Sequence, residues 1–208
     1  MYLYYVEKNL PKDFNVKDVQ LLNDLLLNEE TVHRYLGKLF GVNGQPNWRS
    51  THNILYKKIP GAICKLLVQS DKEIDETAAK ALSFQVTPIS PKKIQNGQKI
   101  KVNLIVFPAV KTGGLKIRSI IREREKRLDW VIRKLSSNGE CSVDSLEETD
   151  EKSVNMAHQD NQKGSGILYG YGYEGTITVK NVKKFTELLH NGVGTCKNYG
   201  FGMVEIVA

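Results

Sequence analysis

His33 and Lys197 are the residues of this 208-residue chain best placed to move a proton and to hold negative charge. His33 falls in Glu29-Glu-Thr-Val-His-Arg-Tyr-Leu-Gly-Lys-Leu-Phe40, where Val32, Leu36, Leu39 and Phe40 recur at helical spacing. It borders that apolar stripe, and Gly37, one turn later, is expected to leave open space beside the ring. Glu29 and Glu30, one turn earlier, are expected to favour the imidazolium and raise its pKa from the usual value near 6.5. A histidine so poised can act as acid or base; the competing reading is a border histidine with no special role. Lys197 sits in Gly192-Val-Gly-Thr-Cys-Lys-Asn-Tyr-Gly-Phe-Gly202, whose four glycines describe backbone laid against something. Successive free N–H groups in such a loop attract phosphate, with Lys197 adding a point charge and Tyr199 a ring; an ordinary connector before the last strand is the alternative.

The elements that must position these groups fall into two similar halves. The first reads as strand 2–7, a leucine-rich helical region through Phe40, a turn-rich stretch, strands 53–57 and 62–69, helix 74–82 and strand 84–87. The second reads as strand 99–106, helix 120–135, an acidic strand and loop region 141–151, strand 167–179, helix 182–189 and strand 203–207. Both give β-α-β-β-α-β, the ferredoxin-like order, so the expected fold is α+β with two tandem ferredoxin-like domains, 1–88 and 89–208, joined at Pro88-Ile-Ser-Pro91.

Charge is unevenly spread. The net charge is +7, yet residues 91–134 hold 13 Lys/Arg against 3 Asp/Glu, while 140–160 hold 7 acids and one lysine. That segregation suits either a face for a polyanion or a solvated helix surface. Three scattered cysteines without Cys-x-x-Cys spacing give no disulfide framework or zinc site, and no histidine or carboxylate spacing points to a metal. No apolar run reaches the roughly 18 residues of a membrane span and no leader is recognisable, so the expected location is cytoplasmic, without membrane or cofactor. Gly170-Tyr-Gly-Tyr-Glu-Gly175 matches a dinucleotide fingerprint in letters only, because Thr176-Ile-Thr-Val continues as strand where that motif must open a helix.

Several segments, taken in order, resemble the CasE (Cse3) family of CRISPR RNA-processing endoribonucleases of subtype I-E, within the repeat-associated mysterious protein superfamily. They are the start Met1-Tyr-Leu, His33-x-x-Leu36-x-x-Leu39-Phe40, Val102-Asn-Leu-Ile-Val-Phe-Pro-Ala-Val-Lys-Thr112, Ile117-Arg-x-Ile-Ile-Arg-Glu and Trp130-Val-Ile-Arg-Lys-Leu135. The closing glycine loop, of the form Gly-φ-Gly-x-x-Lys-x-x-Gly-x-Gly with φ apolar, is the most specific. The resemblance implies metal-independent cleavage of precursor CRISPR RNA at the base of the repeat stem-loop by 2′-hydroxyl attack. The product would stay bound for assembly with other Cascade subunits such as CasC and CasD.

On this likeness His33 falls on the family's catalytic helix histidine, and Lys197 steadies phosphate charge. Lys111, Lys116, Arg118, Arg122, Arg124, Lys163, Gly192, Gly194, Lys197 and Tyr199 are the RNA-binding candidates. Arg122 and Lys126 are expected on one helix face. In several family members a tyrosine stands one turn before the histidine; this chain has Glu30 there. A catalytically inactive RNA-hairpin-binding subunit of the same superfamily is the alternative.

Overall fold

The computed structural model describes all residues except 10–14, 63, 112–117, 157–165 and 208. The chain divides into two compact units. The first is built on Met1–Pro91 and includes Asn198–Gly200; the second is built on Lys92–Val154, Ile167–Lys197 and Phe201–Ala208.

In the first unit, β1 (Tyr2–Lys8) is followed by α1 (Val16–Leu27), α2 (Glu29–Leu39), the one-turn α3 (Trp48–Thr51), β2 (Leu55–Lys58), β3 (Lys65–Ser70), α4 (Glu76–Ala81) and β4 (Phe84–Pro88). The four strands form a sheet in the order β2-β3-β1-β4, with every neighbouring pair antiparallel. Alternation along β1 sends Tyr4 and Val6 inward. They meet Val32 and Leu36 of α2, Phe40 at its C-terminal cap, and Tyr56 and Val68 of the sheet in one core. Asn28 ends α1 and begins α2: its side chain accepts from the backbone N–H groups of Glu30 and Thr31, satisfying donors that a helix start leaves orphaned. This cap fixes where α2 begins, and so which face of the helix carries His33.

The second unit runs β5 (Lys99–Val106), β6 (Ala109–Lys111), β7 (Arg118–Ile120), α5 (Arg124–Ser136), β8 (Cys141–Met156), β9 (Gly166–Val179), α6 (Val182–Asn191) and β10 (Val204–Val207). Its main sheet has the order β10-β5-β9-β8, the same arrangement as in the first unit, with β6 and β7 forming a separate two-stranded ribbon. Both units are thus ferredoxin-like. Ile100, Val102, Leu104 and Val106 alternate inward along β5, packing against Val131 and Leu135 of α5 and Phe185 of α6.

Four differences from the sequence expectation have identifiable causes. The leucine-rich region is two helices, broken at Asn28. The stretch after Phe40 is not all turn, since Trp48–Thr51 makes a helical turn. Helix α5 starts at Arg124 rather than Ile120, because residues 118–120 pair with β6. Arg122 therefore lies ahead of the helix and shares no face with Lys126, which instead pairs with Glu123 at 2.8 Å. The acidic region is a single 16-residue strand, β8, at the edge of its sheet, with Asp144, Glu147, Asp150 and Glu151 exposed.

Candidate active site

His33 projects from α2 and is half-buried. Its imidazole stacks on the indole of Trp48, ring centroids 4.6 Å apart and planes 28° off parallel. Gly37 makes room for that indole: a Cβ there would stand 3.2 Å from Trp48 Cζ2. The space expected beside the imidazole is therefore filled, and filled by the ring that covers it.

The expected rise in the His33 pKa is reversed. Burial disfavours the imidazolium, and the neighbouring guanidinium of Arg49 adds to this, so that the pKa falls to about 4. Glu29 does not oppose the shift, since its carboxylate accepts from the Tyr56 hydroxyl at 2.8 Å and pairs with Lys58 at 3.1 Å. His33 is accordingly neutral at pH 7. Nδ1 is buried, and no described residue hydrogen-bonds to it.

Arg49 follows Trp48 on α3 and is also half-buried, with Nε and Nη2 buried and without partners among the described residues. Its guanidinium lies 5.9 Å from the centre of the Tyr56 ring. Burial lowers its pKa to about 10, which leaves it charged at neutral pH. Tyr56, fully buried, also reaches the Asn198 carbonyl at 3.2 Å, and the proximity of Tyr199 contributes to keeping the Tyr56 phenol un-ionised.

In the second unit the two ends of the glycine loop fold back on each other and on β5. Val193 N–H donates to the Gly202 carbonyl and Gly202 N–H to that of Ile105, both at 2.7 Å. Gly192 ends α6 with positive φ. Gly194, at φ +78°, lies so close to Trp130 that a Cβ would come within 3.0 Å of its ring. Much of the loop's glycine content is thus explained by its own packing. Lys197 begins a one-turn 3-10 helix, and its ammonium donates to the Asn191 carbonyl.

Two of the basic candidates, Lys111 and Arg118, are register partners on the small ribbon. Lys111 and Gly194 also line a cavity of about 400 Å³ with Trp130, Arg133, Lys134 and Thr195. Arg122 and Arg124 are exposed, and Arg124 stands 3.7 Å from Glu148. Lys116 and Lys163 lie outside the described residues.

The chain matches the model of the CRISPR-associated protein family over residues 1–207. It belongs to that family. No curated protein matches it. Among solved structures, this CRISPR-associated protein is similar to the CRISPR endoribonuclease Cse3 bound to a 19-nucleotide RNA, with TM-score 0.78 and 18% identity over 100% of this chain and 98% of that one. It is also similar to Cas6e from Escherichia coli K-12, with TM-score 0.68 and 20% identity over 99% and 98% of the two chains. A chain of a CRISPR RNA-guided surveillance complex matches with TM-score 0.65 and 14% identity, again over 99% and 98%. At these identities the likeness speaks for the fold, which is that of Cse3 and Cas6e.

The sequence reading of this CRISPR-associated protein missed Trp48, Arg49 and Arg127. Trp48 and Arg49 stand in a turn-rich stretch whose short helical turn leaves no periodicity to read. Arg127 was submerged in a basic run, yet it is buried. Its guanidinium makes a two-pronged bond to Glu148 at 2.7 and 2.9 Å, lies 3.8 Å from the Tyr171 ring centre and donates to the Arg122 carbonyl. That bond to Glu148 holds the carboxyl below its ordinary range, and Tyr173 donates to the same carboxylate at 2.7 Å. Arg127 thereby ties α5 to β8 and anchors the backbone that presents the exposed Arg122.

Proposed function

We propose that this protein is an endoribonuclease that cleaves precursor CRISPR RNA at the base of the repeat stem-loop. Membership of the CRISPR-associated family supports the substrate, and the solved proteins of the same fold include an endoribonuclease with RNA bound. The observation that carries the chemistry is the neutral His33 imidazole, stacked on Trp48, with Nδ1 free of hydrogen bonds among the described residues and its charging disfavoured by burial and by Arg49. A neutral imidazole takes up a proton, so His33 is the general base on the 2′-hydroxyl. The 2′-oxygen attacks phosphorus as its proton passes to His33, and the P–O5′ bond breaks. The departing oxygen takes a proton from water, leaving a 2′,3′-cyclic phosphate and a 5′-hydroxyl. RNA brings its own nucleophile, so alignment, proton transfer and charge stabilisation suffice, without a metal. Phosphate charge arriving beside the ring raises the imidazole pKa from its low resting value towards neutrality and strengthens it as a base.

In this reading residues 1–88 carry the catalytic helix and 89–208 the basic cluster and glycine loop. Lys111, Lys116, Arg118, Arg122, Arg124, Lys163 and the loop from Gly192 to Tyr199 hold the RNA backbone, with Lys197 steadying the phosphate charge. An A-form stem hides its bases and is gripped by backbone and shape, the task such cations suit. The guide RNA stays bound and joins further Cascade subunits such as CasC and CasD.

The test is cleavage of the cognate repeat in EDTA by wild type and His33→Ala, with a 2′-deoxy substrate as control. Product from wild type on unmodified RNA alone supports the reading. Tight binding without product would favour the hairpin-binding subunit instead, for which Glu30 in the place of a tyrosine is the specific argument.

A further inference from the structure

Arg49 carries a feature that the fold itself does not use. Two of its guanidinium nitrogens, Nε and Nη2, are buried with no hydrogen-bond partner among the described residues. Buried donors are nearly always satisfied, and a charged one left bare is costly. The carboxylate one turn from His33 does not satisfy it, because Glu29 is held by Tyr56 and Lys58. The Tyr56 ring, at 5.9 Å, offers a weak cation–π contact that leaves the N–H groups unanswered.

The backbone around Arg49 is fixed. Its carbonyl accepts from Ile54 N–H at 2.9 Å, closing the turn that leads from α3 into β2. Trp48, beside it in sequence, is buried and stacks on His33. The bare guanidinium acts electrostatically on the imidazole, whose Nδ1 is likewise without a hydrogen-bond partner among the described residues, and Trp48, the residue before Arg49, is the ring that covers that imidazole.

A planar guanidinium with free donors fits an anion that presents two oxygens in one plane, as a phosphodiester does. A group that transfers protons and a group that binds such an anion, side by side, are what 2′-hydroxyl attack on phosphorus requires. We propose that Arg49 grips the scissile phosphodiester beside His33 and is a catalytic residue of this protein, an inference that rests on the reading of the chain as an RNA-cleaving enzyme. As the 2′-oxygen adds, negative charge gathers on the two non-bridging oxygens, and Arg49 is in place to receive it. The same contact cancels the positive charge next to His33, making the imidazole a stronger base only once the phosphate has arrived.

The experiment uses the cognate repeat RNA with 2′-deoxy at the scissile nucleotide, once with the natural phosphodiester and once with an uncharged methylphosphonate at that linkage. Binding is measured for wild type, Arg49→Gln and Arg49→Lys, and cleavage is followed on unmodified RNA. Wild type is expected to prefer the charged linkage by ~10-fold, and Arg49→Gln to bind both alike. On unmodified RNA, kcat of Arg49→Gln should fall ~100-fold to ~1000-fold with a smaller change in KM, and Arg49→Lys should recover part of that loss. An Arg49→Gln protein that still discriminates between the linkages, or that cleaves at close to the wild-type rate, overturns the proposal. The wild-type comparison needs no variant, so absence of any preference for the charged linkage overturns it even where Arg49→Gln fails to fold. If wild type prefers the charged linkage but never cleaves, the cleavage reading fails and the phosphate grip stands.

Discussion

His33 should titrate near pH 4, well below an ordinary histidine. A pKa of about 4 in place of 6.5 sets a ceiling of ~3.4 kcal/mol on the cost of charging the ring in the fold. Water reaching the half-buried ring brings the true cost below that ceiling. The unfolded chain takes the proton first as pH falls. Stability linked to His33 is therefore complete above about pH 6.5 and lost progressively between there and about pH 4. Proton–carbon NMR of ring-labelled histidine follows all four histidines, and His33→Ala identifies the signal. Trp48→Ala strips the covering indole and should raise the His33 pKa by more than ~1 unit, since burial is the main cause of the shift. Arg49→Gln, removing the secondary cause, should raise it less. A wild-type His33 titrating near 6.5, or one that does not move in Trp48→Ala, refutes the account of a base held neutral by burial.

Gly170→Ala should destabilise the second unit by ~3 kcal/mol or more, because its Cβ would fall 2.1 Å from Cε1 of the fully buried Phe201; urea unfolding measures the loss. Arg127→Met leaves Glu148 without its two-pronged partner and should cost ~3 kcal/mol, seen as a lower thermal midpoint. Adding Glu148→Gln should restore part of that midpoint. Lys111→Ala and Arg133→Ala together should weaken repeat-RNA binding and lower the slope of log affinity against log salt by ~1 to 2; an unchanged slope would remove the cavity they line from the RNA path.

What was legible in the sequence depended on how local its cause was. Strand β5 was readable to the residue, because its inward and outward side chains alternate without interruption from Lys99 to Val106. The start of α5 was not, because residues 118–120 are drawn into a ribbon by pairing with β6, and no local pattern announces that partner. That His33 borders the apolar stripe of α2 was readable from helical spacing. Its protonation state was not, for the sign turns on Trp48 and Arg49, which lie beyond a turn, and on Glu29 being occupied by Tyr56, 27 positions away in sequence. Helical spacing predicts which neighbours share a face; it cannot say which of them are already engaged elsewhere. The glycine loop was recognisable by its spacing, whereas the reason for Gly194 lies in the Trp130 ring, contributed by a different element.

The placement of β8 gives the acidic run a consequence apart from RNA. A 16-residue strand at the rim of a sheet offers a long row of backbone donors and acceptors to any other extended chain, including the same strand of a second copy. Glu147, Asp150 and Glu151 set like charges along that strand, while Asp144 is paired with Lys99 at 3.4 Å, so two such edges repel when they approach. Those carboxylates thus also guard the protein against self-association and aggregation through this edge strand.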